Sequence, residues 1–127
     1  TDKLWPNDYV ILNNLADIYQ FYLKEYVLAE DKWLKIIEIK SDYTDAYTNL
    51  YGLYGAQDQK EKGLLTLLKG LQNNPRNIYI MAHIARHYRS VGDKERSDFY
   101  FELAIKEAVE ENNSQAAESL RLELQGS

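Results

Sequence analysis

The sequence predicts an all-α fold: a right-handed α-solenoid of three antiparallel helix pairs closed by a C-terminal capping helix. Two observations carry that expectation. Bulky residues recur at one interval, since Tyr19, Tyr54 and Tyr88 lie 35 and 34 residues apart and Trp33, Leu67 and Phe101 lie 34 and 34 apart. Between these markers the apolar residues follow the helical period rather than the alternation of a strand. A fixed period of this length is the signature of stacked helical hairpins, none of which buries its apolar face alone. At 127 residues the chain has room for three such units and a cap. It reads as one domain, 1–127, with repeats over about 9–43, 44–77 and 78–111 and a capping helix over about 114–125.

Each element has its own local reasons. Trp5-Pro6-Asn7-Asp8 is a breaker followed by capping residues, and a helix then runs from Tyr9 to about Tyr22. Leu12, Leu15, Ala16 and Tyr19 share one face of it, widened by Ile11, Ile18 and Tyr22. The second helix spans about Glu25 to Lys40, with Ala29, Trp33, Ile36 and Ile37 inward and Ser41-Asp42 stopping it and capping the next. The third covers Thr44 to Tyr54, the turn Gly55 to Asp58, and the fourth Lys60 to Leu71, ended by Asn73-Asn74-Pro75. Ile78 to Ser90, the turn Val91-Gly92-Asp93 and Lys94 to Glu110 form the third pair. Asn112-Asn113-Ser114 breaks the chain, and Gln115 to Leu124 is amphipathic, with Ala116, Ala117, Leu120 and Leu124 on one face. Such a terminal helix covers a stacking face that would otherwise meet water.

Set in register, the repeats share a slot pattern. The third reads Met81-x2-Ile84-Ala85-x2-Tyr88, Gly92, Ser97-x3-Phe101, Ala104. The second reads Tyr47-x2-Leu50-Tyr51-x2-Tyr54, Gly63-x3-Leu67, Gly70, Pro75, and the first Leu12-x2-Leu15-Ala16-x2-Tyr19, Ala29-x3-Trp33, Ile36. Over about residues 9 to 111 the chain resembles the tetratricopeptide-repeat (TPR) family. Small residues (Ala16, Ala85, Ala29, Gly63, Ser97) stand where paired helices approach closely. Two departures are expected to leave marks: Tyr51 fills a slot that is usually small, which predicts a splayed second pair, and the first repeat needs one extra residue in its turn.

The resemblance implies that the first helix of each pair lines a concave, partner-binding face. The helical wheel places Asn13, Asn14, Asp17 and Gln20 opposite the core face of the first repeat. The matching sets are Asp45, Thr48, Asn49 and Gly52, with Gly55 beside them, and then Tyr79, His83, Arg86 and Arg89. Across equivalent positions charge does not repeat: Asp17 becomes Gly52 and then Arg86, and Gln20 becomes Gly55 and then Arg89. These residues predict a groove that is acidic and amide-rich at one end, open at the glycines, and basic at the other. An extended peptide with its acidic part near the two arginines fits that pattern, because Arg grips a carboxylate bidentately. Some family members clamp a chaperone tail's C-terminal carboxylate with five Lys, Asn and Arg residues. The corresponding positions here are Asn13, Asp17, Asn49, Tyr79 and His83; only Asn49 matches, and Asp17 would repel a carboxylate, so that clamp is not expected.

Other chemistries find little support in the sequence. A net charge of −5, from 15 basic and 20 acidic residues, opposes binding to a phosphate backbone, and Arg76, Arg86 and Arg89 form too small a patch to reverse this. There is no Cys, and no apolar run approaches a membrane span. His83 and His87 are four apart on one helix, yet the neighbouring arginines oppose a cation and no acidic ligand completes a site. No phosphate loop and no nucleophile–His–acid set stands out, so neither a cofactor, a metal nor an enzymatic role is expected. The expected function is a non-catalytic protein–protein interaction module whose partner is a protein or peptide of unknown identity. The alternative is a structural element that self-associates or packs on other domains of a larger chain, with Trp5 and Leu122 as contacts. The chain opens at Thr1 without an initiator Met, which leaves a longer parent protein and its compartment open.

Overall fold

The computed structural model describes residues 8–126, and among them there are helices and short connections but no strand. Helix α1 (Asp8–Asp17) runs on through a π-helical turn (Ile18–Tyr22) and is followed by α2 (Tyr26–Ile39), α3 (Thr44–Ala56) and α4 (Lys60–Asn73). Then come α5 (Ile78–Ser90), α6 (Lys94–Glu110) and α7 (Ser114–Gln125). The chain divides into two compact units between Asn73 and Asn74. Trp5, Pro6 and Asn7 lie outside the described residues, so the helix-start signal and the Trp5 contact expected there have no structural counterpart to report.

In the first unit α1 pairs with α2 and α3 with α4, and α2 also packs on α3. The repeat markers meet as expected: Ala16, Ala29, Trp33, Ile36, Leu50 and Tyr54 form one buried cluster, with Leu12 and Tyr19 packed against it. The odd interval of 35 has a specific cause. In the second and third pairs the N–H that closes the inter-helix turn bonds back five residues, Gln59 to the Tyr54 carbonyl at 2.8 Å and Asp93 to the Tyr88 carbonyl at 2.9 Å. In the first pair Glu25 bonds back six residues, to the Tyr19 carbonyl at 2.7 Å, and Leu23 bonds to the Ile18 carbonyl at 2.9 Å in the π pattern. The extra residue is thus absorbed by a widened last helical turn, a device known as single π turns inside α-helices.

The turns keep the strict period where the backbone needs it. Lys24, Asp58 and Gly92 all adopt positive φ (54°, 60° and 82°), each one residue before the capping position of the next helix. Asn112 repeats the conformation (58°) ahead of α7. Gly suits this left-handed conformation without cost, and Asp and Asn tolerate it through local hydrogen bonds, whereas Lys24 has neither advantage. Side-chain capping also differs along the chain. Asn77, Asp93 and Asn113 cap α5, α6 and α7 by accepting from Ile80 N, Arg96 N and Ala116 N. By contrast the capping position of α3 is Tyr43, whose side chain makes no capping bond, and not Ser41 or Asp42.

Tyr51 does not wedge its pair apart. Gly63 faces it, and a Cβ there would lie 2.9 Å from Tyr51 Cδ1 and 3.3 Å from the Tyr51 carbonyl oxygen. Bulk on α3 is traded for its absence on α4. In the second unit α5 packs on α6 and α6 on α7. Met81, Ile84, Ala85, Phe101 and Ala104 are buried there, and Ile78, Ala108 and Ala117 form a cluster that seats the first half of α7.

Candidate partner-binding faces

Within the first unit the residues predicted for a binding face separate into two groups. Asp17 and Asp45 are close enough to interact: burial, and then the Asp45 charge, raise the Asp17 carboxyl above its ordinary value. The Tyr43 hydroxyl is raised as well, by burial and then by Asp45 and Asp17. Asp17, Asp45 and Tyr43 therefore share one local field. Asn14, Asp45 and Gly52 are exposed, while Asn13, Thr48 and Asn49 are half-buried. The Thr48 hydroxyl donates to the Asp45 carbonyl at 3.2 Å, a local bond within α3.

Gln20 is a correction. It is 6% exposed and is no face residue. Its amide oxygen accepts from Trp33 Nε1 at 2.7 Å and its amide nitrogen donates to the Asn49 carbonyl at 3.1 Å. Gln20 stands four residues after the fully buried Ala16, about 40° further round the helix, so it borders the core face rather than opposing it. Beside it, α3 is bare. A Cβ at Gly52 would meet only Gln20 Nε2, at 3.9 Å, and one at Gly55 nothing within 4 Å. Gly55 and Ala56 are helical rather than part of the turn.

The second unit offers a cleft of about 400 Å³ between α5 and α7. Tyr79, His83 and Arg86 line it together with Ile78 and Ala82, and Asn113, Gln115, Ala116, Ser119 and Leu120 form its other side. Tyr79 stands at the rim, 64% exposed. Burial, and then the nearby Arg86, push His83 below its usual value, with Glu123 pulling the other way. His87 is buried, with its ring edge-on to Tyr88 at 5.7 Å, and does not face the cleft. Among the described residues no group of three His, Asp or Glu side chains is placed to hold a metal ion.

The expected basic end is not free. Arg86 Nε and Nη2 donate to Glu123 Oε2 and Oε1 at 2.6 and 2.9 Å, a bidentate fork. Arg89 Nη2 donates to the Glu123 carbonyl at 2.7 Å, and its guanidinium lies 4.6 Å above the Phe101 ring. Arg76 Nη2 pairs with Glu107 at 2.7 Å. The Arg86 hydrogen bond is the main force that holds Glu123 below the ordinary carboxylate range. A half-exposed pair of this kind contributes on the order of 0–1 kcal/mol. The helical wheel of the repeats missed Glu123 because it lies on the cap. The signal was present on α7 itself, where Ala116, Leu120 and Glu123 fall at i, i+4 and i+7 on one face.

No family model matches the sequence, and no curated protein matches it. Solved structures do match. PcrH from Pseudomonas aeruginosa superposes with a TM-score of 0.75 at 15% identity, covering 98% of this chain and 94% of PcrH. PcrH in complex with the chaperone binding region of PopD gives 0.73 at 15% identity, over 97% and 92%. The chain has a TPR-like all-α fold. Fold is what a likeness at this identity establishes. No described helix is long and apolar enough to cross a membrane.

Proposed function

We propose that this TPR-like chain is a non-catalytic binding module for a peptide or partner helix; the first unit offers the exposed faces of α1 and α3, and the second, taken by itself, offers that of α5. The observation that carries the proposal is the bare surface of α3. Gly52, inside α3, costs the helix about 1 kcal/mol relative to Ala, and neither it nor Gly55 near the helix end is needed for packing, because a Cβ at either has room. Glycine retained in a helix without a packing reason fits a surface that another backbone approaches closely. Polar groups able to meet a peptide main chain, Asn13, Asn14, Asp45 and Asn49, stand on the same two helices. The fold agrees with this use, since PcrH is solved with a bound region of PopD.

The test is affinity capture with the wild type beside Gly52→Ala and Gly52→Leu. Gly52→Ala retains fold and stability. Gly52→Leu folds equally well but loses the partner identified with the wild type. Undiminished capture by Gly52→Leu rejects the α3 face.

A second reading rests on a different observation. Around the first hairpin Ile11, Phe21, Tyr22, Leu23 and Val27 are all more than half exposed, at 62, 54, 81, 58 and 77%. An apolar patch of this kind suits self-association or packing on an adjoining domain. Leu122, at 61% exposure, is isolated from it in sequence. Light scattering separates the two readings, because the first predicts a monomer.

A further inference from the structure

The α5 face carries its own competitor. We infer that Glu123 is a resident stand-in for a partner carboxylate, and that an acidic segment reaches the Arg86 fork only by displacing it. This inference rests on the reading that α5 meets a partner.

The geometry is that of ligand recognition rather than of a casual surface pair. Two parallel bonds at 2.6 and 2.9 Å join the Arg86 fork to one carboxylate, the arrangement Arg uses for planar anions. The second arginine, Arg89, takes the backbone carbonyl of the same residue at 2.7 Å, and its Nη1 lies 3.9 Å from the carboxylate. One acidic residue thus engages both cations of the face.

Helix formation does not explain the placement. Glu123 lies in the last turn of α7, which ends at Gln125. A negative charge there opposes the helix macrodipole. The Glu123 carbonyl is among the last four of the helix, which lack intrahelical donors, so Arg89 caps it. The acid is therefore held by its partners on α5 and not by its position in α7.

Release is local. Ala117 and Leu120 are buried and seat the preceding turns of α7, whereas Leu122 is exposed. A rotation of the Glu123 side chain frees the Arg86 fork without moving the buried residues. The fork is partly open to solvent, with side-chain exposures of 45 and 27% for Arg86 and Glu123. A competitor thus has access and displaces a weak pair. Displacement lowers the apparent affinity by the fraction of molecules in which the Arg86 fork is free. The resident carboxylate makes α5 unresponsive to isolated anions and selective for a segment whose other contacts favour exchange.

The experiment uses the full chain and a fluorescein-labelled dodecapeptide of alternating Glu and Ala, with its Gln/Ala counterpart, read by anisotropy. Glu123→Gln keeps the shape of the residue and removes its charge. Glu118→Gln, exposed on α7, removes the same charge elsewhere. The expected result is roughly two- to sixfold tighter binding of the Glu peptide by Glu123→Gln than by wild type, the gain that releasing a weak, half-exposed pair allows. Glu118→Gln shows no comparable gain, the Gln peptide gains nothing, and adding Arg86→Gln to Glu123→Gln abolishes the increase. Equal affinity of wild type and Glu123→Gln, including failure of both to bind, overturns the inference, as does an equal gain in Glu118→Gln. Those results leave the binding-module reading standing, because its own test is the Gly52→Leu capture on α3.

Discussion

At Gln20 one buried amide answers two polar groups that the core would otherwise strand. Its oxygen takes the Trp33 indole N–H and its nitrogen reaches the Asn49 carbonyl, which ties α2 and α3 to the π turn. Trp33 is fully buried, so no water replaces a lost acceptor. Gln20→Leu keeps the volume and removes both bonds. It is expected to lower stability by about 1–3 kcal/mol, the cost of an unsatisfied buried donor, measured by urea unfolding. An unchanged midpoint contradicts the assignment. This residue also shows a limit of reading a wheel from sequence. Tyr19 and Trp33 are legible because bulky apolar residues announce the core. Gln20 reads as facing outward because it is polar, although it stands one helical turn after the buried Ala16. The interval of 35 does show that one residue is surplus, though not where it goes.

Two element-level features trade backbone strain and bulk between neighbours. Lys24 occupies the left-handed position that Gly92 occupies in the third pair. Lys24→Gly relieves strain worth about 1–2 kcal/mol, less the entropy that glycine adds to the unfolded chain. A net gain of about 0.5–1 kcal/mol is expected from that difference, seen as a raised Tm; a loss would mean that the side chain at this exposed position makes a contact of value. Gly63→Ala pulls the opposite way. Helix propensity alone favours Ala by about 1 kcal/mol, but the new Cβ would stand 2.9 Å from the Tyr51 ring. Overpacking of this sort costs about 1–3 kcal/mol, so Gly63→Ala is expected to destabilise and Tyr51→Ala to recover part of the loss in the double variant. Additive effects would contradict the pairing. The sequence displays both oddities, a Tyr in a small slot and a Gly in a helix. That they face each other is a matter of tertiary contact, and it turns an expected splay into a fitted pair.

For the molecule as a whole, the repeating and the non-repeating residues divide the work. The 34-residue interval places Tyr54, Leu67, Tyr88 and Phe101 and so specifies helix pairs, which is why the fold is legible from this one sequence. The proposed binding faces depend on residues outside that interval. Asp17 and Asp45 do come together, as their shared electrostatics require. Arg86 and Arg89 lie on α5, where the repeat register puts them, but their pairing with Glu123 joins a repeat to the cap, and a repeat alignment contains no such column. The central claim is that first helices of the pairs, not second helices, meet the partner. Hydrogen exchange of the chain with and without its captured partner tests it most directly. The account predicts added protection in α1, α3 and α5; protection confined to α2, α4 and α6 would contradict it.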